Sequence, residues 1–262
     1  MRCVGSVRGQ TGVEFEHIVQ DACSSDGTSE WLAAQLDLRA ATEPDNGMYD
    51  GINRGWAKAR GDIVSWLNSD EQYLPGTLQL VSKVFDEQPD VDFLYGNYIV
   101  VGPDGHGIAA RREIRLSSYY IANGFLNIAS CAIFFRRRLL DSGILFLDST
   151  YRYASDMDLI LRLLLARKQV LKINRYLSLF TFDGNNLSCS PRMIEETKAI
   201  RSKYGGASRG IVRKVAQLGR IVERLAHGSY LPQRVSYEFA INERPDYRTV
   251  VMPKLGAQYV TQ

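Results

Sequence analysis

Histidine is scarce in this chain and cysteine is scattered: there are 3 histidines and 4 cysteines in 262 residues. Cys3, Cys23, Cys131 and Cys189 show neither C-x-x-C spacing nor partner histidines, which argues against a zinc site and leaves free thiols as the reading. With only His17, His106 and His227, a histidine triad has little to draw on. Long apolar runs are missing too. No stretch approaches ~20 uninterrupted apolar residues, so no spanning helix is expected, and Met1-Arg2-Cys3-Val4-Gly5-Ser6 has none of the apolar run of a signal peptide. A formal net charge of +3 gives no case for a nucleic-acid partner. There is no internal repeat and no low-complexity tract. What remains, 45% hydrophobic and 23% charged, fits an ordinary globular protein with chain enough for one large or two modest domains.

What is present is organised around Glu43 to Gln72, EPDNGMYDGINRGWAKARGDIVSWLNSDEQ. Glu43-Pro44-Asp45-Asn46-Gly47 is dense in turn formers. After it Met48, Ile52, Trp56 and Ala59 fall at helical spacing, so Tyr49 to Ala59 is expected to be an amphipathic helix closed by Gly61. Asp62 to Leu67 reads as a strand apolar enough for a sheet covered on both faces. It ends in Asn68-Ser69-Asp70-Glu71, and in an open α/β sheet that carboxyl end is where ligands bind. Asp70 has two readings. It either caps the segment after Pro75 or holds Mg²⁺ or Mn²⁺ against the phosphates of a nucleotide.

The stretch resembles glycosyltransferase family 2, in which an E-P-D-x-G-x-Y-D-x-x-N-x-G loop and helix precede a G-D-(apolar)-L-N-S-D-D turn. Glu43, Pro44, Asp45, Gly47, Tyr49, Asp50, Asn53, Gly55, Gly61, Asp62, Leu67, Asn68, Ser69 and Asp70 stand at matching places. Upstream, a strand-like Glu14 to Gln20 leads into Asp21-Ala22-Cys23-Ser24-Ser25-Asp26-Gly27-Thr28 and a helix from Ser29 to Leu36. The loop is similar to the family's D-D-G-S-T-D-G-T, whose first aspartate contacts the nucleotide base. Ala22 and Cys23 depart from it, and Cys23 stands where a glycine usually permits close backbone approach. The family's opening strand, which helps to hold the base, has no counterpart in Met1 to Gly5. The resemblance therefore implies unpaired strand edges and an incomplete pocket, with the chain either a shortened version of a longer product or a relative that has lost activity.

Downstream, a helix is expected over Leu78 to Glu87 and a strand over Asp92 to Val101, with a hairpin turn at Gly102-Pro103-Asp104-Gly105. Asn97 falls in a family-like Y-G-N and either lies near a sugar or packs. Ser130 and Cys131 replace the family's His-Gln pair. Arg136 to Arg138 read as a solvated helix start or as phosphate contacts. Tyr153-Ala154-Ser155-Asp156-Met157-Asp158-Leu159 opens an apolar helix. Locally, Asp156 is a cap or first-turn carboxylate; the resemblance to (E/S)-D-x-D-L-x-L-R-L makes it the catalytic base, with Asp158 a support. After a strand from Val170 to Phe182, the loop Asp183 to Ser188 resembles a family G-G-x-S loop. Beyond a helix from Arg192 to Tyr204 and a Gly205-Gly206-Ala207-Ser208 linker, Ile211, Val212, Val215, Leu218, Ile221, Val222 and Leu225 form an apolar stripe flanked by Arg209, Arg213, Lys214, Arg220 and Arg224. It reads as a membrane-surface helix or as one packed on its own core or a second subunit. Residues 229–262 carry no readable pattern.

The resemblance spans Ser6 to Tyr204 and implies an α/β GT-A fold, a mostly parallel, Rossmann-like sheet with helices on both faces. Residues 1–115 would form the nucleotide-sugar part, 116–204 the acceptor part of the same domain, and 205–262 a helical extension. The implied activity is inverting, metal-dependent transfer of a sugar from a nucleotide diphosphate donor to a saccharide or lipid-linked acceptor. The setting is cell-surface polysaccharide or glycolipid assembly, in the cytoplasm or at the inner face of the plasma membrane. Asp156 is the implied catalytic residue and Asp70 the metal ligand. Asp21, Asp26, Asp45, Asn53, Asn68 and Asp70 are the donor candidates, and Asn97, Asn185 and Ser188 the acceptor or phosphate candidates. Competing readings are a non-catalytic binding or scaffold protein of the same fold and a peripheral membrane interaction protein.

Overall fold

All nine residues of Phe93–Val101 are buried, which makes this strand the spine of the molecule. The computed structural model describes residues 2–252 except 185, 188, 189, 208, 209, 232, 242 and 243. Along the chain the elements are α1 (Arg2–Arg8), β1 (Ile18–Asp21), α2 (Thr28–Ala33), β2 (Arg39–Thr42), α3 (Met48–Lys58), β3 (Ile63–Val64), β4 (Gln72–Tyr73), α4 (Thr77–Glu87), β5 (Phe93–Val101) and β6 (Gly107–Arg111). There follow α5 (Ser118–Ala122), β7 (Ile133–Arg136), α6 (Arg137–Asp141), α7 (Ser155–Leu165), β8 (Val170–Thr181), α8 (Pro191–Lys203), α9 (Ile211–Ala226), β9 (Gln233–Ile241) and β10 (Arg244–Met252).

The main sheet runs β3-β7-β5-β8-β4, with β6 also on β5. Within it only β5 and β8 pair in parallel; the β3–β7, β5–β7, β5–β6 and β4–β8 pairs are antiparallel. The α/β class stands, and the sheet is mixed where a mostly parallel one was expected. The cause lies in the connections. The chain passes from β3 through β4 and α4 to β5, with β3 and β5 running the same way, but β7 enters between them antiparallel to each. The Gly102–Gly105 turn, with Gly105 at φ +80°, folds β6 back along β5.

Side-chain alternation along β7 divides the core between the two faces. Phe135 stacks on Phe93 and Trp66, with Trp56 of α3 edge-on, in a cluster that includes Leu159 and Leu163 of α7. Phe134 stacks on Tyr73 and joins Val7 of α1 and Val81 and Phe85 of α4 on the opposite face. Helices therefore cover both faces.

The C-terminal extension is not purely helical. After α9 the chain forms an antiparallel hairpin, β9–β10. Val235, Tyr237 and Phe239 pack on Leu74, Ile99, Ala110 and Leu179, and the Tyr237 hydroxyl donates to the Gly105 carbonyl at 2.7 Å.

Candidate active site

β1 and β2 form a two-stranded parallel sheet of their own. Among the described residues β1 pairs only with β2 and β3 only with β7, so each presents an unpaired edge. Ile18, Val19 and Gln20 of one edge, and Ile63, Val64 and Ser65 at the other, line a single cleft of about 1060 Å³. The Glu16 carboxylate ties the two parts together by accepting the backbone N–H groups of Arg60 and Gly61. Asp26, Asp45, Asn68, Asp70 and Asp156 all line this cleft.

Asp70 lies in the turn after β3, closed by the Glu71 N–H donating to the Asn68 carbonyl at 3.0 Å. It caps nothing, because α4 begins after Gly76 without a side-chain cap. Burial lifts the Asp70 carboxyl above the usual carboxylate range, and the negative charge of Asp183 lifts it further. Asp183 also lines the cleft. The Asp70 and Asp183 carboxyls and the Asn68 amide, all lining this cleft, are hard oxygen donors of the kind Mg²⁺ and Mn²⁺ prefer, so the residues fit a divalent cation. Among the described residues no group of three or more acidic, histidine or cysteine side chains gathers here. Substrate oxygens and water would complete the coordination, as is usual for Mg²⁺.

Glu71, which replaces the family's second aspartate, is turned away from the cleft and fully buried. It accepts the Asn68 N–H at 2.8 Å and the Ser130 hydroxyl at 3.3 Å, and it touches Cys131. Burial pushes its pKa up to about 7. Two departures from the family pattern, Glu71 and the Ser130-Cys131 pair, are thus one contact: the longer carboxylate reaches the smaller side chains.

Asp156 stands in the first turn of α7. The cap position is Ala154, with no side-chain cap, and the Asp156 carboxyl accepts the N–H of Met157 at 2.9 Å. Burial raises its pKa to about 6, against the lowering effect of the nearby Met157 N–H and Tyr49 hydroxyl. Tyr49 is itself buried, and its hydroxyl also meets the backbone N–H groups of Ser155 and Asp156. The loop before α7 is fixed by Glu196, which accepts the N–H groups of Arg152, Tyr153 and Ala154 at 2.8, 2.7 and 3.1 Å. Asp158, almost fully buried, accepts from Lys203 at 2.7 Å, Tyr204 at 2.9 Å and Arg162 at 3.3 Å, which locks α7 to α8. Tyr49, Asp183 and Glu196 went unassigned in the sequence reading. Of these only Tyr49 had a signal there, its match in the family motif.

The remaining donor candidates are held by the scaffold. Asp45 accepts the N–H of Gly47 at 2.8 Å, and a Cβ on Gly51 would lie 2.8 Å from its Oδ2, so α3 needs a glycine there. Asp26 accepts the Thr28 N–H at 3.1 Å at the start of α2. Asp21 is buried beneath the cleft wall, where its carboxyl accepts from the Ser24 N–H and hydroxyl and from the Ser29 hydroxyl. The loop it holds passes through Cys23 at φ +63°, a left-handed conformation in a residue that is not glycine.

Three of the candidates are engaged by the scaffold. Asn53 does not face the cleft; its amide clamps both backbone groups of Leu147, at 2.7 and 2.9 Å. Asn97 is buried within the sheet, donating to Asn174 at 3.0 Å and accepting the Glu113 N–H at 3.0 Å. The arginine run neither sits free in solvent nor waits for phosphate. Arg136 covers the Phe85 ring and donates to the Phe85 and Val91 carbonyls, Arg137 to Ala59, and Arg138 to Asp92, Pro89 and Asp90. Asn185 and Ser188 lie outside the described residues.

Residues 1–144 match the family described as Glycosyl transferase family 2. "Uncharacterized protein MT1568" of Mycobacterium tuberculosis is 36% identical over 97 residues, 36% of this chain and 30% of that protein. A "PGL/p-HBAD biosynthesis glycosyltransferase" of Mycobacterium bovis is 29% identical over 169 residues, 61% of this chain and 62% of that one. The succinoglycan biosynthesis protein ExoO of Rhizobium meliloti is 28% identical over 171 residues, 60% and 49% of the two chains. The chain thus spans less than two thirds of the length of each of these relatives. Staphylococcus aureus TarS 1-349 shares the fold: its structures with UDP and with UDP-GlcNAc superpose with TM-scores of 0.56 and 0.59 at 18% and 17% identity, covering 88% and 86% of this chain and 68% of TarS 1-349. The family's motifs in order, together with a match to 144 of 262 residues, show that this chain belongs to glycosyltransferase family 2.

Proposed function

We propose that the chain transfers a sugar from a nucleotide diphosphate donor to an acceptor hydroxyl with inversion at the anomeric carbon. One observation carries this: Asp26, Asp45, Asn68, Asp70 and Asp156, drawn from four separate stretches of sequence, line one cleft, and the carboxyl nearest α7 is raised to about 6. A base with that pKa is ionised at neutral pH and still basic enough to accept a proton. Asp156 takes the proton of the acceptor hydroxyl as its oxygen attacks the anomeric carbon. The carbon–oxygen bond to the diphosphate breaks on the opposite face, and the diphosphate leaves with the electron pair. Asp70, with Asn68 and Asp183 beside it, would hold a Mg²⁺ or Mn²⁺ ion, whose chemistry is to neutralise charge on the diphosphate. Tyr49 and Glu196 keep Asp156 and the loop before it in place.

TarS structures hold UDP and UDP-GlcNAc, so uridine is the first donor class to test. Relatives named for PGL/p-HBAD biosynthesis and for succinoglycan biosynthesis support a setting in polysaccharide or glycolipid assembly, for which we take the acceptor to be a saccharide or a lipid-linked one. The location that suits such an acceptor is the cytoplasm or the inner face of the plasma membrane, with peripheral contact through the region of residues 209–225. Calorimetric titration with UDP, GDP and dTDP, each with and without Mn²⁺, tests the donor site. Metal-dependent binding of one nucleotide, lost in Asp70→Ala, is the expected result; no binding by a folded chain would overturn it. The unpaired edges of β1 and β3 favour a second reading, a binding or scaffold protein that keeps the fold without turnover. Donor hydrolysis separates the two: metal-dependent release of the nucleoside diphosphate without acceptor supports the enzyme, and binding without release supports the scaffold.

A further inference from the structure

A surface helix normally buries its apolar stripe and shows its charges to water. α9 does the reverse. Its buried residues are Ala216, Arg220 and Arg224, while Ile211, Val212, Val215, Leu218, Ile221, Val222 and Leu225 are between 42% and 77% exposed. The cause is Glu113, which is wholly buried. Arg224 Nη2 donates to its Oε2 at 2.8 Å, and the Asn127 amide donates to the same oxygen at 2.9 Å. Arg220 covers the Phe125 ring at 4.1 Å and donates to the Phe125 carbonyl at 3.1 Å. Rolling the helix to bury its aliphatic side chains would draw both arginines out and leave the Glu113 carboxylate unpaired in the interior. The outward direction of the stripe is therefore fixed by the ion pair.

Seven neighbouring exposed aliphatic side chains are far more than the scattered apolar residues of an ordinary surface, and such patches mark interaction sites. The charge around the stripe selects its partner. Arg220 and Arg224 are committed inward to Phe125 and Glu113, so the cations left beside the stripe are exposed Lys214 and half-buried Arg213, against the single acid Glu223. Arg213 also lies close enough to Arg201 of α8 to act on its charge, and the buried Nε of both lacks a hydrogen-bond partner among the described residues. A second copy of this face would bring like charges together. An anionic phospholipid surface would neutralise them and take up the aliphatic side chains. Among the described residues no helix is long and apolar enough to cross a membrane, so the geometry is that of a helix lying in the surface.

We infer that α9 lies at the headgroup boundary of an anionic phospholipid membrane, with the stripe from Ile211 to Leu225 inserted and Lys214 at headgroup level. This deepens the peripheral-contact reading above and is independent of sugar transfer: failure of nucleotide binding would leave it standing. The test is flotation of the full 262-residue chain with vesicles of phosphatidylcholine and phosphatidylglycerol, and with phosphatidylcholine alone, alongside light scattering of the lipid-free chain. The chain is expected to float with the mixed vesicles and to partition at least about tenfold less well onto neutral ones. The double variant Leu218→Asp, Val222→Asp should remain unbound. Both positions are exposed, at 61% and 56%, so its circular dichroism and melting should match the parent. Two results would overturn the proposal: no flotation of the folded parent chain on anionic vesicles, or a stable lipid-free dimer that the double variant turns into a monomer.

Discussion

The hydroxyl of Tyr49, in the first turn of α3, lies close enough to the carboxyl of Asp156, in the first turn of α7, to favour its ionised form. It joins the family's E-P-D loop and helix to the proposed base. Burial raises the Asp156 pKa to about 6, and the tyrosine opposes that rise by stabilising the ionised form. Tyr49→Phe keeps the ring in its buried site and removes the donor. The pH at which the rate reaches half its maximum should then move upward, and the rate near pH 6 should fall by roughly fivefold, the worth of one hydrogen bond to a charged group. An unchanged pH profile would show that Tyr49 is only a packing residue.

Asp156→Asn separates chemistry from binding. Loss of a general base costs about 10²–10⁴ in turnover, while nucleotide affinity should be unchanged. In the parent chain the rate should rise with pH through about 6 as the carboxyl ionises. Stability should move the opposite way. The folded-state pKa lies above the ordinary 3.8, so between those values the folded chain keeps a proton that the unfolded chain has lost. Stability therefore falls as pH rises through that window. The amide that replaces the carboxyl has no charge to bury, so the variant should gain about 2–3 kcal/mol over the parent at pH 7 and little at pH 4, as read by urea denaturation.

Cys23 holds φ +63° in the loop after β1, where the family's glycine would pass without steric cost. A left-handed conformation costs an L-residue roughly 1–2 kcal/mol, and glycine offsets part of that gain by its greater freedom when unfolded. Cys23→Gly should raise stability by about 0.5–1 kcal/mol. A thermal midpoint unchanged or lowered would show that the thiol makes a compensating contact.

The sequence was most legible where motif and fold coincide. The helix expected from Tyr49 to Ala59 and the polar turn after the next strand stand where periodicity and family letters put them, the strand itself keeping only Ile63–Val64 of the expected Asp62 to Leu67, and five of the named residues share the cleft. The roles of Asn53 and Asn97 could not be read from the motif, because an amide there can serve backbone as well as ligand, and which it serves depends on residues such as Leu147 and Asn174 that are distant in sequence. The hairpin at the C-terminus did carry a signal. Val235, Tyr237 and Phe239 alternate with polar residues, but three such positions gain meaning only once Ile99 and Leu179 offer a surface to cover. The stripe on α9 was plain from its spacing. Its direction was not, since a buried glutamate in the segment after β6 decides it.

That glutamate leads to the last expectation. Arg224→Met removes the cation that Glu113 faces and leaves a carboxylate buried without its counter-charge, at a cost of about 3–5 kcal/mol. Glu113→Gln, Arg224→Met removes both charges, and the Asn127 amide can still donate to the glutamine carbonyl, so the pair should recover most of the loss. Urea denaturation of the parent, the single variant and the double variant measures both steps. Recovery in the double variant would show that the cost of the single one was an unpaired charge; equal losses would show that the packing of the Arg224 stem is what matters. The same variants bear on the helix direction. With the charges gone, only Arg220 on Phe125 still opposes a roll of α9 that buries Leu218 and Val222, so spin labels at Val215 and Leu225, both exposed in the parent, should lose mobility if the ion pair is what holds the stripe outward. Labels that keep their parent mobilities in the folded double variant would assign that role to Arg220 and Phe125 instead.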